Sequence, residues 1–560
     1  MRFLCILGLL CALPAMALDR EAFTFTSYDL KVRVEPEQQR LGVRGTITVR
    51  NDSASPQRDI AMQISSTLDW SSIKLKGKSV EFVGHEYTSD IDHTGALSEA
   101  IVTLPNDLPP KEMVVLEVGY EGVIPVDVTR LTQIGVPEEK AKLNDWDQIS
   151  KAFTAVRGIG YVAWFPVSVE EASLSDADSV PEAVARWKAR NADSTMHLQF
   201  ESTLPASILF SSMPNPGDVH ASAKAADFNI ERMGISVPTF VVADYQKLTQ
   251  GTIAVQYLPG QQEVAKSYAE IANQIEVGGA GSSAHGIQIV ALPDQDASSF
   301  VTGNMLLTSL KPSMTNEAEL SMVYAEACQH VVSPRPWVQE GLAHYAQAAF
   351  IEAQHGRQEA LDYLSSHRAA LAEAEKPKSQ AANSAGNWQT AHALINAPDD
   401  LYLQTKATAV WWMLRDMLDN PSKGVMLDYH AEEDQDSTYV EHLIEKNHPR
   451  DLGWFFDDWV YHDRGLPDFQ VDSVFSSPLP AGGFLVTITV VNLGDAGAEV
   501  PVVLQFEGGE IRRRLEVRGK SKASLRIETA GRPLQVTVND GSVPESDVSN
   551  NLYKIESPAK

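Results

Sequence analysis

The stretch VYAEACQHVVSPRPWVQEGLAHYAQAAFIE, residues 323–352, reads as two helices with a break between them. Pro334 and Pro336 supply the break. Proline has no amide proton for a helical hydrogen bond, and it pushes the residue before it out of the helical region. The first helix is therefore expected to end near Val332. The second is expected to run from about Trp337 to near Gly356, since glycine suits a helix end. Asn316 with Glu319 three residues later offers a capping box for the start of the first helix. Both helices carry groups able to move protons or hold metal. Glu326 and His330 are four apart on the first, and Glu340 and His344 are four apart on the second, so each pair shares a helix face. Cys328 lies on the first helix off the face of Glu326 and His330, and reads as a small buried residue.

Outward from this pair the chain changes character twice. From about residue 23 to 245 the signals are mostly β. Leu30, Val32 and Val34 alternate with Lys31 and Arg33, the pattern of a half-buried strand. GTITVRN, MVVLEVGYEG and TMHLQFEST read as further strands, with helical insertions expected over 137–155 and 180–190. From about 251 to 467 the pattern is mixed, then helical, with further helices expected at 357–375, 401–418, 437–446 and 452–462 and a loop over 376–387. After RGLPDF, short strands separated by turn residues predict a small β-sandwich.

A chain of 560 residues exceeds one ordinary domain, and 43% hydrophobic residues supply a sizeable core. The net charge of −28 argues against nucleic acid or an anionic membrane surface as the main partner. Arg2, the apolar run 3–13 and Ala15-Met16-Ala17 form the pattern of a cleavable export signal. The run is too short to span a bilayer, and no later stretch is long enough. The mature chain is expected to begin at Leu18, exported to the periplasm or outside the cell and without membrane insertion. Cys5 and Cys11 would leave with the leader, so Cys328 remains alone and no internal disulfide is expected.

In a zinc peptidase of the HExxH kind, two His four apart on one helix face hold the metal. The Glu beside the first takes the proton of the zinc-bound water. A further Glu comes from the next helix. His330 and Glu340 stand where the second His and that Glu belong. Six segments in order carry a wider likeness: YDLKVRVEP with GTITVRN, YVAWFPVS (161–168), GISVPTFVVADYQ (234–246), IQIVALPD with TGNMLL, TKATAVWWMLRDML, and WFFDDWVYHDRGLPDF. With these the chain resembles the M1 family of aminopeptidases, related to aminopeptidase N and leukotriene A4 hydrolase.

The resemblance implies a multidomain α+β fold: a leader at 1–17, an N-terminal β saddle over 18–247, a mostly helical thermolysin-like (gluzincin) domain over 248–467 and a C-terminal β-sandwich over 468–560. It also implies that the departures fall on the chemistry. Glu326 stands for the first ligand His and Ala327 for the general base. Leu306, in Gly303-Asn304-Met305-Leu306-Leu307, stands where the family's Gly-x-Met-Glu-Asn loop holds the substrate amine. Gln404 stands for the catalytic Tyr, with Tyr402 nearby out of register. Two functions follow as expectations. One is an exported pseudopeptidase that binds a peptide or protein partner in the former cleft, with no cofactor. The other is a working metallopeptidase with zinc on Glu326, His330 and Glu340, and His344 as a further candidate ligand.

Overall fold

The computed structural model describes residues 18–176, 179–211, 220–221, 224–233, 236–275, 286–331, 333, 335–366, 368–375, 393–396, 402–418, 420–430, 433–434 and 436–555. The leader expected at 1–17 and the loop expected at 376–387 lie outside the described residues.

Alternation builds the first region. In the strand Phe23–Glu35, Leu30, Val32 and Val34 are buried while Lys31 and Arg33 face out. This strand pairs antiparallel with Arg40–Asn51 and parallel with Thr195–Ser202, at the centre of an eight-stranded sheet. A second sheet sets Ala96–Leu108 between Gln57–Ser65 and Phe82–Thr88. The segment 161–168 threads this region's core. Trp164 donates from Nε1 to the Pro238 carbonyl at 3.0 Å, and the hydroxyls of Tyr28 and Tyr120 donate to the carbonyls of Pro166 and Trp164.

The helices here are α1 (Thr129–Gln133), α2 (Glu138–Asn144) and α3 (Ser179–Asn191). The helix expected over 137–155 stops at Asn144. Asp145 and Asp147 are instead drawn into buried ion pairs with Arg130 at 2.8 Å and Arg157 at 2.6 Å, and Thr154–Val156 joins a strand ladder.

The middle region opens with a five-stranded mixed sheet in the order Gln246–Gln250, Ile253–Tyr257, Gln288–Ala291, Met305–Thr308, Phe300–Thr302. Its first strand begins just before the boundary expected at residue 248. Helix α4 (Gln262–Ala272) follows the second strand. The decisive pair comes next: α5 (Asn316–His330) and α6 (Pro336–His355). Asn316 is not the cap of α5. Thr315, in extended conformation, accepts from the Ala318 amide at 3.2 Å, so Asn316 is the first helical residue. Pro336 opens α6, where its missing N–H costs nothing, and Gly356 ends it at φ 91°.

The single helix expected over 357–375 is divided: α7 (Arg357–Ser365) stops, and 368–375 is helical again. A π-helical turn, Leu403–Ala407, leads into α8 (Thr408–Met417). Beyond it lie Pro421–Asp428, Tyr439–Asn447 and Gly453–Phe456. The first of these three went unread in the sequence. No helix of the described residues is long and apolar enough to cross a membrane.

Two sheets complete the chain, one of Phe469–Pro478, Phe484–Asn492 and Lys522–Thr529, the other of Gly509–Val517, Ala498–Phe506, Pro533–Val538 and Leu552–Lys554. The architecture is thus multidomain α+β. One hydrophobic core runs from the mixed sheet through the helices into these sheets, and the N-terminal sheets have their own.

Candidate active-site cleft

Three contacts position the helix pair. Gln329 on α5 donates to the Gly303 carbonyl at 2.8 Å, tying the helix to the turn before Met305–Thr308. On α6, Gly341 lies against Ala407 and Trp411, so close that a Cβ there would come within 2.8 Å of the Ala407 Cβ. The rings of Trp337 and Trp411 stack with centroids 5.8 Å apart.

α5 and α6 are joined by a hydrogen bond between Tyr324 and Glu340 and by one from Gln347 to the Leu320 carbonyl at 2.9 Å. The Tyr324 hydroxyl donates to the Glu340 carboxylate. One turn along lies the buried Cys328 thiol; burial first, and the Glu340 charge second, push it well above the ordinary thiol range. Beside them the His344 ring lies 5.0 Å from the Tyr324 ring. His344 Nδ1 is 3.0 Å from Gln347 Oε1, which also accepts from Tyr363, so the histidine proton sits on Nδ1.

Two of the residues singled out in the sequence, Glu326 and His330, fall elsewhere. Glu326 and His330 are both buried and approach each other to 3.9 Å. At about 100° per residue they lie some 200° and 240° around α5 from Tyr324, whereas Cys328 lies only about 40° from it. Glu340 therefore faces Tyr324 and Cys328, and the expected set of Glu326, His330 and Glu340 is not brought together. His344 sits beside Tyr324, away from Glu326 and His330. Among the described residues, no three His, Cys, Asp or Glu side chains form a group that could hold a metal ion.

Ala327 is core. Leu306 is fully buried in a strand flanked on both sides, paired with Ile289 and Val301, and offers no group to an amine. Gln404 is exposed and lines a cavity of about 120 Å³ with His344, Tyr363, Arg368 and Ser542. Tyr402 is buried, with the Lys406 ammonium 5.9 Å from its ring centre. Lys406 itself is fully buried between Glu375, at 2.7 Å, and Asp463. Burial alone would lower its pKa, and the two carboxylates more than reverse that.

Two groups escaped the sequence reading. Lys406 was seen only as a family landmark. Tyr324 was passed over, although its spacing of four from Cys328 was the available signal. The donor set at the helix contact does not fit zinc. Zinc takes thiolate, imidazole or carboxylate oxygens turned toward it. Here the carboxylate of Glu340 already receives the Tyr324 proton, and the face of α5 turned toward it carries a phenol and a single thiol but no imidazole.

No family model matches the chain, and no curated protein matches it. Among solved structures it is similar to an M1 zinc metallopeptidase from Deinococcus radiodurans. A mutant of that enzyme bound to a Tyr-Ser-Ala substrate is 13% identical, with 80% of this chain and 96% of that one covered and a TM-score of 0.45. The same mutant without the peptide is 14% identical, with the same coverage and a TM-score of 0.44. The unmutated enzyme is also 14% identical, over 79% of this chain and 95% of that one, with a TM-score of 0.43.

Proposed function

We propose that the chain is an exported M1-peptidase-like protein that no longer hydrolyses peptides by that family's mechanism, and that it binds a peptide or a protein partner in the former active-site cleft. One observation carries this reading: Glu340, on the helix that would supply the third zinc ligand, is met from α5 by the phenol of Tyr324 instead of an imidazole. Peptide hydrolysis needs an activated water and a group to take its proton. Loss of a general base alone costs about 10²- to 10⁴-fold, and Leu306 leaves the substrate amine unanchored. The alternative centre on Glu326, His330 and Glu340 is disfavoured, because Glu326 and His330 share a face of α5 some 200° and 240° from the Tyr324 side that meets Glu340.

The test is made on mature protein purified without a tag. Metal content well below one zinc per chain and no chelator-sensitive turnover of aminoacyl anilides are expected. Turnover comparable to an ordinary aminopeptidase, abolished by a chelator, would refute the proposal. N-terminal sequencing of the same material is expected to begin at Leu18, and a protein still carrying Met1 would remove the export reading.

A further inference from the structure

We infer that the Tyr324–Glu340 pair occupies the place of a zinc peptidase's metal, and that Tyr324, Ala325 and Cys328 hold the positions of first ligand, base and second ligand. This rests on the M1-like reading above, and it moves the degenerate motif two residues toward the N-terminus from Glu326, Ala327 and His330. The argument is geometric. An HExxH centre needs its two ligands four apart on the helix face that meets the carboxylate of the next helix. On α5 two pairs of titratable side chains, Tyr324 with Cys328 and Glu326 with His330, have that spacing. Tyr324 donates to Glu340, and Cys328 lies only about 40° from Tyr324 around the helix, whereas Glu326 and His330 lie some 200° and 240° away. The residue after the first ligand is then Ala325, which is fully buried and offers only a methyl group. The phenol reaches across the space between the helices and hydrogen-bonds the carboxylate that would otherwise be a ligand. The cleft wall is thereby closed where the metal would lie.

Zinc affinity, read by competition with a chromogenic chelator, tests the assignment. Tyr324→His/Cys328→His places two imidazoles four apart toward Glu340 and frees that carboxylate. It is expected to bind one zinc per chain at least about 100-fold more tightly than the parent, since even an outer-shell partner is worth about 10- to 100-fold. Adding Glu340→Ala is expected to remove most of that gain. Glu326→His builds an imidazole pair with His330 on the opposite face, and any gain there is expected to be indifferent to Glu340→Ala.

Should the double variant fail to fold, Tyr324→His alone is loaded with cobalt(II). A thiolate-to-cobalt charge-transfer band is expected, and Cys328→Ser should abolish it. The assignment is overturned by a folded double variant that gains no affinity, by a gain that survives Glu340→Ala, by a Glu340-dependent gain in Glu326→His, or by a cobalt spectrum that Cys328→Ser leaves unchanged. Turnover by the parent protein would sink the pseudopeptidase proposal, whereas an inert parent with failing variants sinks only this assignment.

Discussion

His197 lies on the open face of the N-terminal sheet between two carboxylates, its Nδ1 3.0 Å from Asp29 and its Nε2 2.9 Å from Asp227. A neutral imidazole can donate to only one of them, and the imidazolium donates to both. Partial burial would lower the pKa, but hydrogen bonds to Asp29 and Asp227 outweigh it and raise it. A raised folded pKa means that the stabilisation is full below the unfolded value, about 6.5, and is lost as pH rises through the folded value. At this exposure the cluster is worth at most about 1 kcal/mol. His197→Gln is therefore expected to lower urea-unfolding stability near pH 5 by up to that amount and to have almost no effect near pH 9. An equal loss at both would dismiss the charge-based account. None of this is legible from residue spacing, because Asp29, His197 and Asp227 come from three strands distant in sequence. Tyr324 is the same lesson at the cleft: its neighbour four residues on was visible, and its partner across the helix gap was not.

At the scale of elements, the approach of α6 to the turn before α8 depends on one missing side chain. A Cβ at Gly341 would lie 2.8 Å from the Ala407 Cβ and 3.0 Å from Trp411 Cδ1. The Ala407 Cβ is bound to backbone and cannot swing away. Alanine would gain about 1 kcal/mol in helix propensity, against an overpacking cost of about 1–3 kcal/mol. Gly341→Ala is expected to lower stability by about 1 kcal/mol, read as a fall in Tm. A rise in Tm would show that the helices are free to part. The helix ends around this contact were largely legible, since Pro336 and Gly356 act through local backbone geometry. The early stop of α2 was not, because helix propensity there is overridden by tertiary ion pairs such as Asp147 with Arg157.

Across the whole molecule, charge ties the helices to the C-terminal sheets. Asp416 on α8 pairs with Arg357 at 2.7 Å and with Arg415 and Arg514 at 3.2 Å, and Arg357 reaches on to Asp540. Burial would raise the Asp416 pKa, but the Arg357 hydrogen bond, helped by the three arginine charges, more than reverses that and holds it below the usual carboxylate value. A lowered folded pKa means stabilisation that is present above the unfolded value, about 3.9, and lost as pH falls through the folded one. Asp416→Asn removes the carboxylate that three guanidiniums share, leaving Arg357 with Asp540, Arg415 with Glu352 and Arg514 with Glu499. Breaking a fully buried pair costs about 3–5 kcal/mol; with these arginines partly exposed, about 2–3 kcal/mol is expected. The variant should also lose less Tm than the parent between neutral pH and pH about 3. A variant that falls as steeply as the parent in acid would show that Asp416 does not carry this coupling. The amino-acid sequence by itself determined the succession of β, helical and β regions and the two helices of residues 323–352, because alternation, helical period and proline act over a few neighbouring residues. Which face of α5 meets Glu340 was decided only in the tertiary structure. Two pairs of titratable residues on that helix share the spacing of a ligand pair, and period alone does not say which of them turns toward the next helix.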